Sequence, residues 1–149
     1  MDLAPEWVVG FVDGEGCFHV SIQRHPEMTS GYQVLPEFVV VQHERDVNVL
    51  HALKRFFGCG VVRRNHGDRY AFRVRSLEDL GRVCEFFVQH PLKTKKNVEC
   101  RKFRRVLRLM SEKRHLAREG VLEIIEIATA MNSTHRPALE KIKRELSVG

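Results

Sequence analysis

The sequence lacks several features that mark specialised classes of protein. Its four cysteines, Cys17, Cys59, Cys84 and Cys100, form no Cys-x-x-Cys pair and no cluster with histidine at zinc spacing. No apolar run is long enough to span a membrane, and no low-complexity tract or Gly/Ser linker divides the chain. These absences argue against a zinc finger, a disulfide scaffold and a membrane partner. They also predict reduced, buried cysteines.

The N-terminus and the net charge bear on location and partners. The first residues lack the basic and apolar regions of a secretion signal. We therefore expect an intracellular protein, either bacterial or from an organelle such as a chloroplast or mitochondrion. The 25 basic residues outnumber the 19 acidic ones, and the resulting charge of +6 favours a polyanionic partner such as nucleic acid. Many soluble proteins are mildly basic, so the net charge alone does not identify the partner. The positions of the charged residues have to show whether it is nucleic acid.

The periodicity of apolar residues predicts an α+β fold. Helical and strand patterns follow the order αββαββα, and more helices come after them. The predicted strands are 17–24, 33–42, 61–65 and 70–75, and the predicted helices are 1–16, 46–57, 76–87, 95–113, 118–131 and 137–146. Two hairpins then form a four-stranded antiparallel sheet with one face on the helices and the other face outward.

Local signals set the expected boundaries of these elements. Gly14 and Gly16 are expected to end the first helix. Asp46 is expected to cap the second helix and Ser76 the third. The inward face of the third helix is expected to begin at Leu77.

Alternation along the strands assigns polar side chains to the outward face of the sheet. These are His19, Ser21, Gln23, Gln33, Glu37, Arg63, Asn65, Arg69 and Arg73. Arginine can pair with guanine, glutamine or asparagine with adenine, and glutamate with cytosine in the major groove. A solvated sheet face has a similar pattern, but the excess of Arg, Asn and Gln favours recognition of double-stranded DNA. Arg64 and Arg75 have the opposite parity and are expected at the ends or edges of the sheet.

Residues 7–16 read Trp-Val-Val-Gly-Phe-Val-Asp-Gly-Glu-Gly. Gly10 and Gly14 share one helix face, and a face without side chains lets two helices touch backbone to backbone. Asp13 and Glu15 follow at the helix end, where carboxylates oppose the helix dipole. A cation at that position would relieve this opposition.

The segment resembles the LAGLIDADG motif of homing endonucleases, with Val8 and Val9 in place of Leu-Ala and Glu15 in place of the last Asp. The strand that follows, the αββαββα order and residues 90–96 are also similar to the family. The resemblance covers residues 4–132 and is to the single-motif, intron-encoded members. It implies one endonuclease domain over residues 1–149, with a core at 4–132 and a helical tail at 133–149.

The resemblance also implies a role for each residue of the motif region. Glu15, helped by the carbonyl of Gly14, would bind Mg²⁺ (or Mn²⁺), which prefers oxygen ligands. Gln42 would position water, and Lys95 would lie beside the scissile phosphate. Asp13 would support the helix end, by capping or by pairing across an interface.

For two active-site roles, the sequence offers more than one candidate residue. Lys93 and Lys96 lie within reach of the place expected for the catalytic lysine. The family often has an active-site arginine, and the aligned position here is Asp46, so Arg45 or His43 would have to substitute.

A second copy of the motif is absent after residue 16. Cutting both DNA strands then requires two chains, and a homodimer with twofold symmetry predicts a roughly palindromic target. The expected interface consists of Trp7, Gly10, Phe11, Asp13 and Gly14.

The leading hypothesis is a metal-dependent, site-specific DNA homing endonuclease. The alternative is an intron RNA maturase, with intron RNA as its partner, or a DNA-binding protein that does not cut, because one fold can serve either function. Glu15 favours the endonuclease, since a protein that only binds could lose that carboxylate. A metal-dependent phosphatase is less consistent with the sequence, which has no Gly-rich pocket loop and no His/Asp cluster.

Overall fold

A computed structural model describes residues 1–132 and 136–148, and its order of elements confirms the αββαββα prediction. The helices and strands are α1 Pro5–Glu15, β1 Gly16–Arg24, β2 Tyr32–His43, α2 Val47–Phe57, β3 Val61–His66, β4 Arg69–Val74, α3 Leu77–Gln89, α4 Lys96–Ser111, α5 Arg118–Thr129 and α6 Pro137–Val148. Short 3-10 turns occupy Glu44–Asp46 and Arg114–Leu116. Positions 133–135 and 149 of the predicted tail lie outside the described residues.

The four strands form one antiparallel sheet in the order β1-β2-β4-β3. In the pairing of β2 with β4, Val39 lies opposite Arg73 and Gln42 opposite Tyr70. In the pairing of β3 with β4, Val61 lies opposite Arg73, and the register shifts between Arg64 and His66. This shift is a β-bulge at the edge of the sheet, which changes the direction of the side chains around it.

The chain divides into two compact units. The first comprises Met1–Phe18 and Glu37–Cys100, and the second comprises His19–Pro36 and Arg101–Gly149. The core of the first unit is a cluster of aromatic rings with centroids about 5 to 6 Å apart, formed by Phe18, Phe38, Phe57, Phe72, Phe86 and Phe87. Such contacts add to the burial of apolar surface. The cluster supports the strands and helices that carry the motif.

The second unit has a core of aliphatic and aromatic side chains. Its fully or almost fully buried members include Phe103, Val106, Ile124, Ile125, Leu139 and Leu146. All four cysteines remain thiols, as the sequence predicts; Cys59, Cys84 and Cys100 are buried, whereas Cys17 is only half-buried. Within residues 1–132 and 136–148, no helix is long and apolar enough to cross a membrane.

Several element ends differ from the sequence prediction. Gly14 does not end α1, which continues to Glu15, and Gly16 is its C-terminal cap. The side chain of Asp46 makes no capping hydrogen bond; the chain enters α2 through a 3-10 turn, so the cap lies upstream, where His43 accepts from the amide of Arg45.

The start of α3 contains one correct and one wrong prediction. Ser76 caps the helix by accepting a hydrogen bond from the amide of Asp79. Leu77 does not face inward, because its side chain is 40% exposed, whereas Leu80 is buried. Helical side chains lean toward the N-terminus, so that of the first residue extends past the packed part of the helix.

Candidate active site and nucleic-acid interface

The end of α1 brings together two of the three residues predicted to be catalytic. Glu15 is the last residue of the helix and is exposed. Gln42, near the end of β2, donates a hydrogen bond from Nε2 to Glu15 Oε1 over 2.7 Å. The amide therefore fixes the direction of a carboxylate that is open to solvent.

Asp13, two residues earlier, has a different environment. Its carboxylate accepts from the amides of Lys93 and Thr94 over 2.8 and 3.1 Å, and from the Thr94 hydroxyl over 2.8 Å. Partial burial by itself would raise the pKa of Asp13, but these hydrogen bonds and the charge of Lys96 lower it below 3.8. Asp13 thus anchors the segment before α4 to the motif helix.

The three candidate lysines, Lys93, Lys95 and Lys96, have different environments. The Lys96 ammonium donates to the carbonyl of Gly16, directly after Glu15. Lys93 is exposed and contacts Asp13 through its backbone amide. Lys95, predicted to be the first residue of α4, lies just before that helix and is exposed.

The candidates for the missing arginine lie around the 3-10 turn Glu44–Asp46. The His43 ring is engaged at both nitrogens, since Nδ1 accepts from the Arg45 amide and Nε2 lies 2.9 Å from Asp68 Oδ2. Arg45 has a side chain that is 77% exposed, with Nε 3.7 Å from Asp46 Oδ2. Of the two proposed substitutes, Arg45 therefore has the more accessible cation.

The donor chemistry at the end of α1 suits a small divalent cation. Glu15 supplies an exposed carboxylate. Gly14 lies in the last turn of the helix, where backbone carbonyls have no amide N–H from a following turn to bind them. Among the residues that the structure describes, no group of three or more His, Cys, Asp or Glu side chains could hold a metal.

The predicted interface residues of α1 present an unusual surface. Gly10 and Gly14 are exposed, and a Cβ added at either would meet no atom within 4 Å. Trp7 is 44% exposed and stacks on Phe11, with ring centroids 4.8 Å apart. An apolar-lined cavity of about 350 Å³ lies beside Gly10. The carboxylate of Asp13, the remaining predicted interface residue, accepts hydrogen bonds from Lys93 and Thr94 of the same chain.

In the first unit, the outward strand residues form a hydrogen-bonded group. Glu37 binds Arg73 and Arg75, and Arg73 also binds Asn65. Arg63 lies in the same recess, of about 670 Å³, as Asn65, Arg73 and Arg75. Arg69 is 55% exposed at the start of β4.

In the second unit, the predicted readers lie on β1 and β2. Gln23 donates to Gln33 over 3.0 Å, and His19 and Ser21 are half-buried. The hairpin is also tied to α6, because Glu145 binds Arg24 and Tyr32. These contacts with Arg24 and Tyr32 lower the pKa of Glu145.

The sequence prediction omitted some residues of these groups. Arg75 binds Glu37 instead of only marking a strand end, and alternation alone could not reveal this contact. Val39 and Val41 share the strand parity of Glu37 and are half-buried; the period-2 pattern could have identified them. No sequence signal pointed to the contact of Thr94 with Asp13, 81 residues away.

Known proteins resemble this chain in sequence. The family model described as LAGLIDADG endonuclease matches residues 8–107. Probable intron-encoded endonuclease 3 of Neurospora crassa is 31% identical over 130 residues, which are 85% of this chain and 24% of that protein. The DNA endonuclease I-CvuI of Chlorella vulgaris is 36% identical over 68 residues, or 46% of this chain and 42% of that protein. The chain thus spans less than half the length of these relatives.

Solved structures resemble it over almost the whole chain. The homing endonuclease I-TnaI aligns with a TM-score of 0.95 and 57% identity, over 98% of this chain and 99% of that one. The meganuclease I-SmaMI bound to uncleaveable DNA aligns with a TM-score of 0.93 and 30% identity, over 98% of this chain and 50% of that one. The family match includes the motif helix, the sheet and the start of α4, and so the chain belongs to the LAGLIDADG endonuclease family.

Proposed function

We propose that this chain is a subunit of an endonuclease that cleaves double-stranded DNA at a specific site. The observation that carries the proposal is the exposed Glu15 carboxylate at the end of the motif helix, held by Gln42. The intact acidic position favours cleavage over binding alone. It also supports the endonuclease over an intron RNA maturase, in agreement with the names of the similar proteins.

The proposed cofactor is Mg²⁺ (or Mn²⁺), held by Glu15 with help from the Gly14 carbonyl. A divalent cation supplies charge stabilisation to a leaving oxygen and activates water. The solved structure of I-SmaMI bound to uncleaved DNA in the presence of calcium ions supports a divalent cation for this chain.

The neighbouring side chains have supporting roles in the proposal. Gln42 orients the Glu15 carboxylate through Nε2, and its carbonyl oxygen can accept a hydrogen bond from an attacking water and so position it. Lys95 is proposed to stabilise charge near the scissile phosphate. Asp13 holds the segment just before Lys95 in place through Lys93 and Thr94.

The working form is proposed to be a homodimer. The sequence has one motif, and the chain covers half of I-SmaMI but nearly all of I-TnaI. Two copies would bring two Glu15 carboxylates together if the motif helices met through Gly10 and Gly14. Trp7 and Phe11 would add apolar surface to that interface.

The DNA partner is proposed to be read in the major groove by the outward residues of the strands. These are His19, Ser21, Gln23, Gln33, Arg63, Asn65, Arg69 and Arg73. Glu37, also predicted to read bases, is set apart because its carboxylate binds Arg73 and Arg75. Hydrogen bonds from such side chains to base edges carry sequence information, whereas phosphate contacts set position and affinity. We further propose that residues 4–132 act as one endonuclease domain, with 133–149 as a helical tail.

The test separates binding from cleavage. Double-stranded DNA that binds the protein is selected from a randomised library, and the enriched sequence is then incubated with Mg²⁺. We expect Glu15→Gln to reduce single-turnover cleavage at least a hundredfold while binding changes less than about threefold, because the carboxylate serves the reaction and not base recognition.

Glu6→Gln is the matched control, because Glu6 is an exposed glutamate at the other end of the same helix. It should cut as fast as the parent. Cleavage by Glu15→Gln at the parental rate would remove Glu15 from the reaction, and failure of the parent to select any sequence would refute the proposed function.

A further inference from the structure

Glu37 on β2 accepts hydrogen bonds from two arginines. Its Oε1 accepts from Arg73 Nη1 over 2.6 Å, and its Oε2 accepts from Arg75 Nε over 2.8 Å. The Glu37 side chain is only 17% exposed, whereas that of Arg75 is 69% exposed. Both carboxylate oxygens therefore face guanidinium groups within the protein, which leaves Glu37 poorly placed to accept from a cytosine.

Arg73 is held at a second point by β3. Its Nη2 donates to Asn65 Oδ1 over 2.6 Å. Asn65 lies where the register of β3 shifts, between Arg64 and His66. A bulge re-aims the side chain at such a position, and here it brings the amide oxygen to Arg73.

The fixed guanidinium keeps donors for a ligand. It carries five N–H groups, two of which serve Glu37 and Asn65. Its side chain is 30% exposed and lines the recess that also contains Arg63 and Asn65. A planar cation with fixed orientation and remaining donors suits the O6 and N7 acceptors of guanine.

We propose that Glu37 is a positioning residue, and that it presets Arg73 to recognise a guanine in each half of the DNA target. This inference rests on the proposed DNA-binding function. An arginine that is ordered before binding loses less side-chain freedom on contact with a base. Glu37 also lowers the net charge of the group, which limits indiscriminate attraction to phosphates.

A double-mutant cycle on base preference tests the proposal without requiring cleavage. Bound sequences are profiled by selection from a randomised DNA library for the parent, Arg73→Ala, Glu37→Ala and the double variant. We expect Arg73→Ala to lower the preference for guanine at one position per half-site about tenfold, the scale of a bidentate base contact. Glu37→Ala should weaken the same preference, and in the Arg73→Ala background it should change nothing more at that position.

Two further variants separate positioning from charge and from folding. Glu37→Gln keeps an acceptor for Arg73 and should retain more guanine preference than Glu37→Ala. Glu78→Ala removes an exposed carboxylate on the first turn of α3, and it should leave the base profile unchanged. If Glu37→Ala does not fold, Glu37→Gln and its cycle with Arg73→Ala carry the test, since partial loss of the same preference is still expected.

Either of two results would overturn the proposal. In the first, the Glu37 variants leave the guanine preference intact although Arg73→Ala removes it. In the second, they alter a base preference in the Arg73→Ala background, which would make Glu37 a direct reader. A parent that selects no sequence would instead defeat the proposed function.

Discussion

Asp13 and Glu15 are two residues apart, but their surroundings give them different chemistry. Asp13 accepts three hydrogen bonds from Lys93 and Thr94, whereas Glu15 is exposed and meets Gln42. A carboxylate that accepts several hydrogen bonds within the chain stabilises the structure, and an exposed one is available to a ligand. Two carboxylates within one helical turn thus differ in role: Asp13 anchors the chain, and Glu15 is a candidate metal ligand.

At the residue scale we predict that Asp13→Asn destabilises the protein in a pH-dependent way. Hydrogen bonds to a charged group contribute about 1–3 kcal/mol, and the free energy of unfolding should fall by that amount at pH 7. Because the folded state lowers the pKa of Asp13 below 3.8, the carboxylate stabilises fully above that value. Its contribution is lost as the pH falls through the lower, folded-state pKa.

Thermal unfolding from pH 2.5 to 7 measures this effect. The difference in Tm between the parent and Asp13→Asn should be constant near neutrality and should narrow below about pH 4. Asp2→Asn changes an exposed aspartate and should track the parent throughout. A difference that persists unchanged at the acid end would show that charge on Asp13 is not what stabilises the fold.

At the element scale, the start of β3 depends on a glycine. Gly60 has a φ of +93°, and an added Cβ would lie 2.4 Å from a carbon of the Phe72 ring and 2.9 Å from the Arg73 carbonyl. Gly67, in the turn between β3 and β4, also has a positive φ, of +58°, but an added Cβ would meet nothing within 4 Å. The hairpin that carries Arg63 and Arg73 is thus sterically constrained at one end and open at the other.

We therefore predict that Gly60→Ala lowers the free energy of unfolding by about 2–4 kcal/mol, from backbone strain and overpacking together. Gly67→Ala, with strain alone, should lower it by about 1 kcal/mol. Urea unfolding followed by circular dichroism measures both values. Equal losses of unfolding free energy in the two variants would mean that Phe72 moves aside to make room for the new methyl group.

At the scale of the whole molecule, the exposed face of α1 is the basis of a prediction about assembly. Gly10→Leu should weaken the proposed dimer at least tenfold, because the new side chain separates two helices that touch through glycine. Gly81→Leu is the matched control, since Gly81 is an exposed glycine within α3 with open space around it. That variant should dimerise like the parent.

Sedimentation across a micromolar range of concentration provides the measurement. A parent that remains a monomer while cutting both strands of its target would contradict the prediction. A Gly10→Leu variant with an unchanged dimer constant would place the interface elsewhere.

Much of the fold was predictable because its signals are local. A helix of period 3.6 and strands of period 2 leave their patterns in consecutive residues, so the αββαββα order could be inferred from the chain alone. Ser76 marked the start of α3 correctly, whereas the first helix begins at Pro5 and not at residue 1. The predictions that Asp46 caps α2 and that Leu77 faces inward were wrong, because the path of the chain into a helix depends on packing beyond the cap.

Patterns among consecutive residues are enough to place Glu15 near a helix end, to assign alternating polar residues to the strands and to show a single motif. Which side chains contact one another depends on how the chain packs. Asp13 with Thr94 and Glu37 with Arg73 and Arg75 are pairs whose members lie 36 to 81 residues apart. Such contacts follow from strand register and loop position, which the packing of the whole chain sets and which no window of neighbouring residues encodes.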